Sequence, residues 1–236
     1  VESAIEAEKG GANRIELCSA LVIGGLSPSK ALFEKVKEHV NVKIHVLLRP
    51  RFGDFCYTDF EHEIIKQEIR MFKELGADGV VIGTLKPDGS LNLEQMKELV
   101  KEAEGMSITL HRAFDMCANP FRTLEEVKEL GIHTILTSGQ KNNCIDGKEL
   151  LGQLMKKANR EVDILIGGGV DVSVILALYE STGATSYHMS GKVTLDSEMQ
   201  YRKEDVSMGV ACMSECQVWR TSAERVAQVK LVLEEL

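Results

Sequence analysis

Basic residues are in short supply. Lys and Arg number 28 against 36 Asp and Glu, a formal net charge of −8. That balance lacks the positive surface that nucleic acids and acidic membranes select, so neither is expected as a partner. Long apolar runs are missing as well: none reaches the ~18 residues of a membrane span. No secretory leader pattern is present. Six cysteines in 236 residues are too sparse for a disulfide scaffold, and no CxxC pair argues for structural zinc. They read as reduced thiols of a cytoplasmic, alternatively nuclear, protein. No G-x-G-x-x-G follows an early strand, which counts against an open dinucleotide-binding sheet. An initiator Met is also lacking, and Val1 falls inside a helical pattern.

What remains is an apolar fraction of 44%, ample for a large core. Short β-type runs occupy Arg14–Cys18, Lys43–Arg49, Gly79–Thr84, Ser107–Arg112, His133–Ser138, Val162–Gly167 and Ser186–Ser190. They recur about every 29 residues, the size of one unit of a (β/α)8 barrel. Amphipathic helices fill the gaps. Phe60, Ile64, Ile65, Ile69, Phe72 and Leu75 form one apolar stripe, with Thr58 and Glu61 as a capping box ahead of it. Ser27–Pro28 and Asn119–Pro120 read as helix starts, Asn92 and Asp171 as further N-caps. Gly11, Gly76, Gly131 and Gly183 read as helix ends. The fold class is therefore α/β: one TIM (β/α)8 barrel domain over residues 1–236. Seven strands and eight helices, helix first, place the first strand upstream of Val1. The segment 191–221 lacks clear periodicity and reads as a long loop or lid over the barrel mouth; a partner-contacting insertion is the alternative.

Strand alternation sorts side chains between the helical coat and the barrel interior. The interior face collects Glu16, Cys18, His45, Arg49, Thr109, His111, His188 and Ser190. Barrel interiors are ordinarily apolar, and buried charges are costly unless paired, so Glu16 and Arg49 are expected to compensate each other or to line a wet cavity. A structural polar network is the alternative. Cys18, Arg49, His111, Ser138 and Ser190 all fall at strand C-terminal ends, the active face of such barrels.

Arg49 and Arg51 flank a Pro after one strand and suit a carboxylate or phosphate; an ion pair with Asp54 or Glu16 is the competing reading. His111 and Asp115, four apart after another strand, suit acid–base work if they meet. Gly167, Gly168 and Gly169 follow the seventh barrel strand and Ser190 ends the eighth, where barrels often bind an anion with backbone N–H groups and a helix N-terminus. Cys18 is a soft donor at a strand end, otherwise a small buried hydrophobe. Cys212 and Cys216 share helical spacing but lack a His to complete a metal site. Met189, Met199, Met208 and Met213 read as core filler.

At these residues the chain resembles the CutC family. The likeness rests on Asn13–Cys18, Gly24–Ser29, Arg49–Tyr57, His111–Met116 and Leu136–Gly139 and runs along essentially the whole chain. It implies a (β/α)8 barrel, a homo-oligomer (dimer or tetramer), and a role in copper homeostasis. It also implies Cu(I) as ligand, held by a first-strand Cys together with Cys18; that first strand has no counterpart here. Phe52 stands where the family carries Gly. Two functional readings follow. In one, the chain is a copper homeostasis protein that binds Cu(I) through Cys18. In the other it is a barrel enzyme with Glu16, Arg49, His111 and Asp115 as catalytic residues, working on a small phosphorylated or carboxylated metabolite. A non-catalytic oligomeric interaction protein is a third.

Overall fold

A computed structural model describes residues 1–203, 206, 208–210 and 214–236. Eight helices alternate with strands: α1 (Glu2–Lys9), β1 (Arg14–Leu17), α2 (Lys30–Lys37), β2 (Lys43–Leu47), α3 (Asp59–Glu74), β3 (Gly79–Ile82), α4 (Leu93–Glu102), β4 (Ser107–Leu110), α5 (Pro120–Glu129), β5 (Thr134–Thr137), α6 (Lys148–Ala158), β6 (Asp163–Ile166), α7 (Val172–Thr182), β7 (Lys192–Asp196), β8 (Gln217–Thr221) and α8 (Ala223–Glu235). Strands β1 to β6 lie side by side in chain order, all parallel, in one curled sheet. The run at 186–190 continues it only as a single parallel bridge between Ile166 and Tyr187. The result is a TIM-like barrel short of its full set of strands. Among the described residues, β1 pairs with β2 alone and Tyr187 with β6 alone, so a seam separates these two edges.

The period-two pattern explains the layers. Ile44, Val46 and Leu48 are buried against the helices, as are Ile108 and Leu110. The rings of Phe33 on α2 and Phe72 on α3 pack with centroids 5.3 Å apart. Helix starts follow local hydrogen-bonding chemistry. The capping box closes α3 through Thr58 and Glu61, and Asn92, Asn119 and Asp171 each accept an N–H from the first turn of their helix. Two sequence-based expectations are corrected. Helix α2 is capped by Ser29, because the hydroxyl of Ser27 is committed elsewhere: it donates to Glu68 and accepts from the Arg49 N–H. The stripe on α3 narrows to Ile65, Ile69 and Phe72, whereas Phe60 and Ile64 are exposed, since only one side of α3 meets the sheet.

The segment 191–221, expected as a long loop or lid, carries regular structure at both ends. Strands β7 and β8 form an antiparallel pair from Lys192–Thr221 to Asp196–Gln217. Alternate polar side chains on a two-stranded ribbon with no buried face hide the usual signal. Cys212 and Met213 lie outside the described residues; Cys216 is half-buried in the turn before β8, not on a helix.

Candidate functional site

A cavity of about 860 Å³ runs from the interior faces of the curled sheet past Tyr187 to α1, β8 and α8. Glu16, Cys18, His45, Arg49, Thr109, His111, His188 and Ser190 all line it, as strand alternation predicted. Arg112, Gly168 and Gly169 join them at the end formed by the strand C-termini. Asp115 and Gly167 do not line the cavity.

Room for these polar groups is made on β3. A side chain at Gly79 would sit 2.8 Å from the His45 ring, and one at Gly83 would sit 2.8 Å from the His111 ring. Two glycines four apart on a strand face the same way, so β3 leaves two notches and a histidine from each neighbouring strand fills one. This Gly-x-x-x-Gly signal was present in the sequence and passed unread.

Arg49 is 8% exposed, and its backbone N–H is fixed by Ser27. The guanidinium donates to the carbonyls of Ile23, Gly25 and Gly53 at 3.3, 3.3 and 2.7 Å. The Phe55 ring lies 5.1 Å from its carbon. No carboxylate forms an ion pair with it among the described residues. Glu16, its expected partner, instead faces His188 across the seam at 3.9 Å, and Asp54 pairs with Arg51 at 2.9 Å. The Glu16–Arg49 compensation therefore does not form. Arg49 is held by carbonyl dipoles and the Phe55 ring, and its buried Nε–H has no acceptor among the described residues.

His111 is 4% exposed. Its Nδ1 accepts the N–H of Ala113 at 3.1 Å, which leaves the proton on Nε2. That N–H also lacks a partner, as does the hydroxyl of Thr109. Burial, reinforced by the charge of Arg49, pushes the His111 ring down to about 3, so it is a neutral donor. His45 is pushed down to about 4 by burial and the nearby Arg14. The Phe55 ring stacks against His111 at 4.8 Å, so one aromatic side chain covers both Arg49 and His111.

The His111–Asp115 contact expected from spacing is not made. Asp115 turns away to accept from Arg112 Nε at 2.7 Å, Thr137 Oγ1 at 2.5 Å, and the N–H groups of Ser138 and Gln140 at 3.1 and 3.0 Å. With its lone pairs occupied, Asp115 ties the loops after β4 and β5 together and offers no free oxygen to a ligand. It holds Arg112, whose Nη2 also donates to Ser138 Oγ at 2.7 Å. The Gly triplet reaches this cluster through Cys144, whose N–H donates to the Gly168 carbonyl at 2.8 Å. A side chain at Gly168, where φ is +94°, would lie 3.1 Å from Ser138 Cβ and 3.8 Å from the Arg112 guanidinium carbon. The helix N-terminus expected to serve an anion here is already capped by Asp171, 3.0 Å from the Val174 N–H. Arg112 was not among the residues singled out as catalytic or binding, although it sits between the two that were.

Cys18 faces Gly25, where an added Cβ would lie 3.4 Å from its sulfur. Burial and the negative charge of Glu16 push its thiol up to about 12. No group of three or more His, Cys, Asp or Glu side chains is placed to hold a metal ion among the described residues.

A parallel α/β barrel whose strand C-termini gather polar side chains belongs to the class that carries small-molecule sites at that face. The chain belongs to the CutC family, whose sequence profile matches residues 1–193. It is 41% identical over 211 residues to a mouse protein named copper homeostasis protein cutC homolog, spanning 89% of this chain and 78% of the mouse one. It is 37% identical to a CutC family protein of Pasteurella multocida over 99% of this chain and 96% of that one. A solved CutC from Streptococcus agalactiae superposes with a TM-score of 0.72 at 28% identity, covering 75% of this chain and 87% of that one. A mandelate oxidase superposes with a TM-score of 0.57 at 11% identity, over 99% of this chain and 65% of its own, a likeness of fold alone.

Proposed function

We propose that this barrel takes a small carboxylated or phosphorylated metabolite at its mouth and moves a proton on it. One observation carries the reading: Arg49 is buried without a carboxylate partner, and its Nε–H is left unpaired. A buried cation held only by carbonyl dipoles favours an anion, because uncompensated charge in the interior costs several kcal/mol. His111 and Thr109 add unpaired donors beside the cavity, and Arg49 clamps the anion. Glu16 and His188, 3.9 Å apart at the wet seam, supply the acid–base pair, with His111 donating through Nε2. The test is calorimetric titration of glycolate and inorganic phosphate into the wild type and Arg49→Lys. Binding that is lost in the variant supports the reading; no heat with either anion in the wild type removes it.

A second reading keeps copper. Cys18 lines the same cavity, and relatives of this chain carry names in copper homeostasis. Cu(I) would have to displace a proton from a thiol with a high affinity for it, and among the described residues lining the cavity Cys18 is the only thiol. The site as it stands fits a two-thiolate Cu(I) centre poorly. Chelator-competed Cu(I) titration of the wild type against Cys18→Ser tests this, and equal affinities remove Cys18 from the account. We infer a cytoplasmic or nuclear location from the sparse cysteines, and a homo-oligomer from the family resemblance.

A further inference from the structure

The two arginines of the mouth differ in reach, and the difference bears on the shape of the ligand. Arg49 is the more buried, with the Phe55 ring 5.1 Å from its guanidinium carbon, and its Nε–H and one Nη2 N–H make no hydrogen bond among the described residues. Arg112 lies at the rim, with its side chain 42% exposed. Its Nε is spent on Asp115 and its Nη2 on Ser138 and the Lys141 carbonyl. Its Nη1 donates to no acceptor among the described residues. Gly168 and Gly169, with φ of +94° and +81°, bring bare backbone to the same spot, and neither of their N–H groups donates to a protein acceptor. Both residues line the cavity, as does His111, the neighbour of Arg112 in the chain. The cavity thus has two separate sets of unspent donors: an enclosed set around Arg49, His111 and Thr109, and an open set around Arg112 and the glycine backbone.

We infer that the ligand of this mouth carries two anionic groups, one carboxylate taken by the enclosed donors and one carboxylate or phosphate taken by Arg112 with Gly168 and Gly169. The inference rests on the anion-site reading above and deepens it. The enclosed set is small and dry and suits a planar group with two oxygens. The open set can serve a tetrahedral group that keeps part of its hydration. The Asp115 carboxylate neutralises Arg112 only in part, because it takes the Nε edge and leaves the other edge free. The Asp171 carboxylate is turned into the first turn of α7, where Ser173 Oγ and the Val174 N–H donate to it.

The test compares 2-phosphoglycolate, which carries both groups, with glycolate and inorganic phosphate, which carry one each. In the wild type, 2-phosphoglycolate should bind at least about 10-fold more tightly than either, the smallest gain a second charged contact of 1.4 kcal/mol would give. In Arg112→Gln that advantage should vanish while glycolate affinity holds; in Arg49→Lys both weaken. Because Arg112→Gln also loses contacts to Asp115, the wild type supplies an independent arm: 2-phosphoglycolate should slow modification of Arg112 by phenylglyoxal, read by mass spectrometry, and glycolate should not. Equal affinity for glycolate and 2-phosphoglycolate, or unprotected Arg112, overturns the two-anion inference and leaves the single-anion site standing. Failure of all three probes to bind overturns both.

Discussion

Arg49 and Arg112 stand at or just past the ends of barrel strands, and each lies within five residues of a carboxylate in the chain. The outcomes are opposite. Arg112 is paired with Asp115 at 2.7 Å, and that carboxylate is saturated by further donors. Arg49 is the more buried of the two and has no anion at all among the described residues. The saturated carboxylate on one side and the unsatisfied cation on the other separate two kinds of polar group that look alike in sequence. The first ties two loops together, and the second is the group that the proposed anion would compensate, because a buried charge left unpaired is costly.

That contrast can be broken most violently at Asp115. Asp115→Ala should cost about 3 kcal/mol or more, because the Thr137 hydroxyl and the Ser138 and Gln140 N–H groups lose their acceptor, and chemical denaturation read by circular dichroism checks it. A cost below about 1 kcal/mol would mean the cluster is ornamental. Acid comes next. The unfolded chain protonates His45 and His111 near the ordinary 6.5, whereas the folded chain holds them neutral down to about 4 and about 3. Below 6.5 the unfolded state therefore binds more protons, and stability falls as the pH drops. Between pH 6.5 and 5 the loss should be about 1.6 kcal/mol for each ring. His111→Gln should remove its half of that slope, and an unchanged slope would refute the assignment. Arg49→Met should cost less than Asp115→Ala, about 2 kcal/mol or less, because it removes an unpaired charge along with its carbonyl contacts. It should nevertheless abolish any anion-dependent rise in melting temperature. The smallest effect belongs to Cys18→Ser: a change within about 1 kcal/mol, with the anion response retained. Loss of that response would bring the thiol into the anion site.

Much of this architecture was legible in the sequence. Alternation on β2 and β4 separated His45, Arg49, Thr109 and His111 from Ile44, Val46 and Ile108, and the structure keeps that division. Gly11, Gly76, Gly131 and Gly183 closed their helices with positive φ, as their positions implied. The partners were not legible. Glu16 and Arg49 face the same interior, but which of several cations a carboxylate meets is set by the curl of the sheet, and it meets His188. Spacing suggested that Asp115 reaches His111. A short 3₁₀ turn over Arg112–Met116 carries it instead toward Thr137 and Ser138, and such a turn has no signature in residue type. The ribbon of β7 and β8 was missed for the opposite reason: its burial is too slight to leave a pattern.

The seam between β1 and Tyr187 has one more consequence. It makes the interior unequal from side to side, with Glu16 and His188 bordering water while His111 lies sealed on the far wall. Under the proposed reading, a proton exchanged at the more exposed wall comes directly from bulk solvent. The dry wall keeps its hydrogens fixed and lends them only as hydrogen bonds. Under the same reading labour is divided by hydration: exchange with the medium on one flank, and ligand recognition on the other.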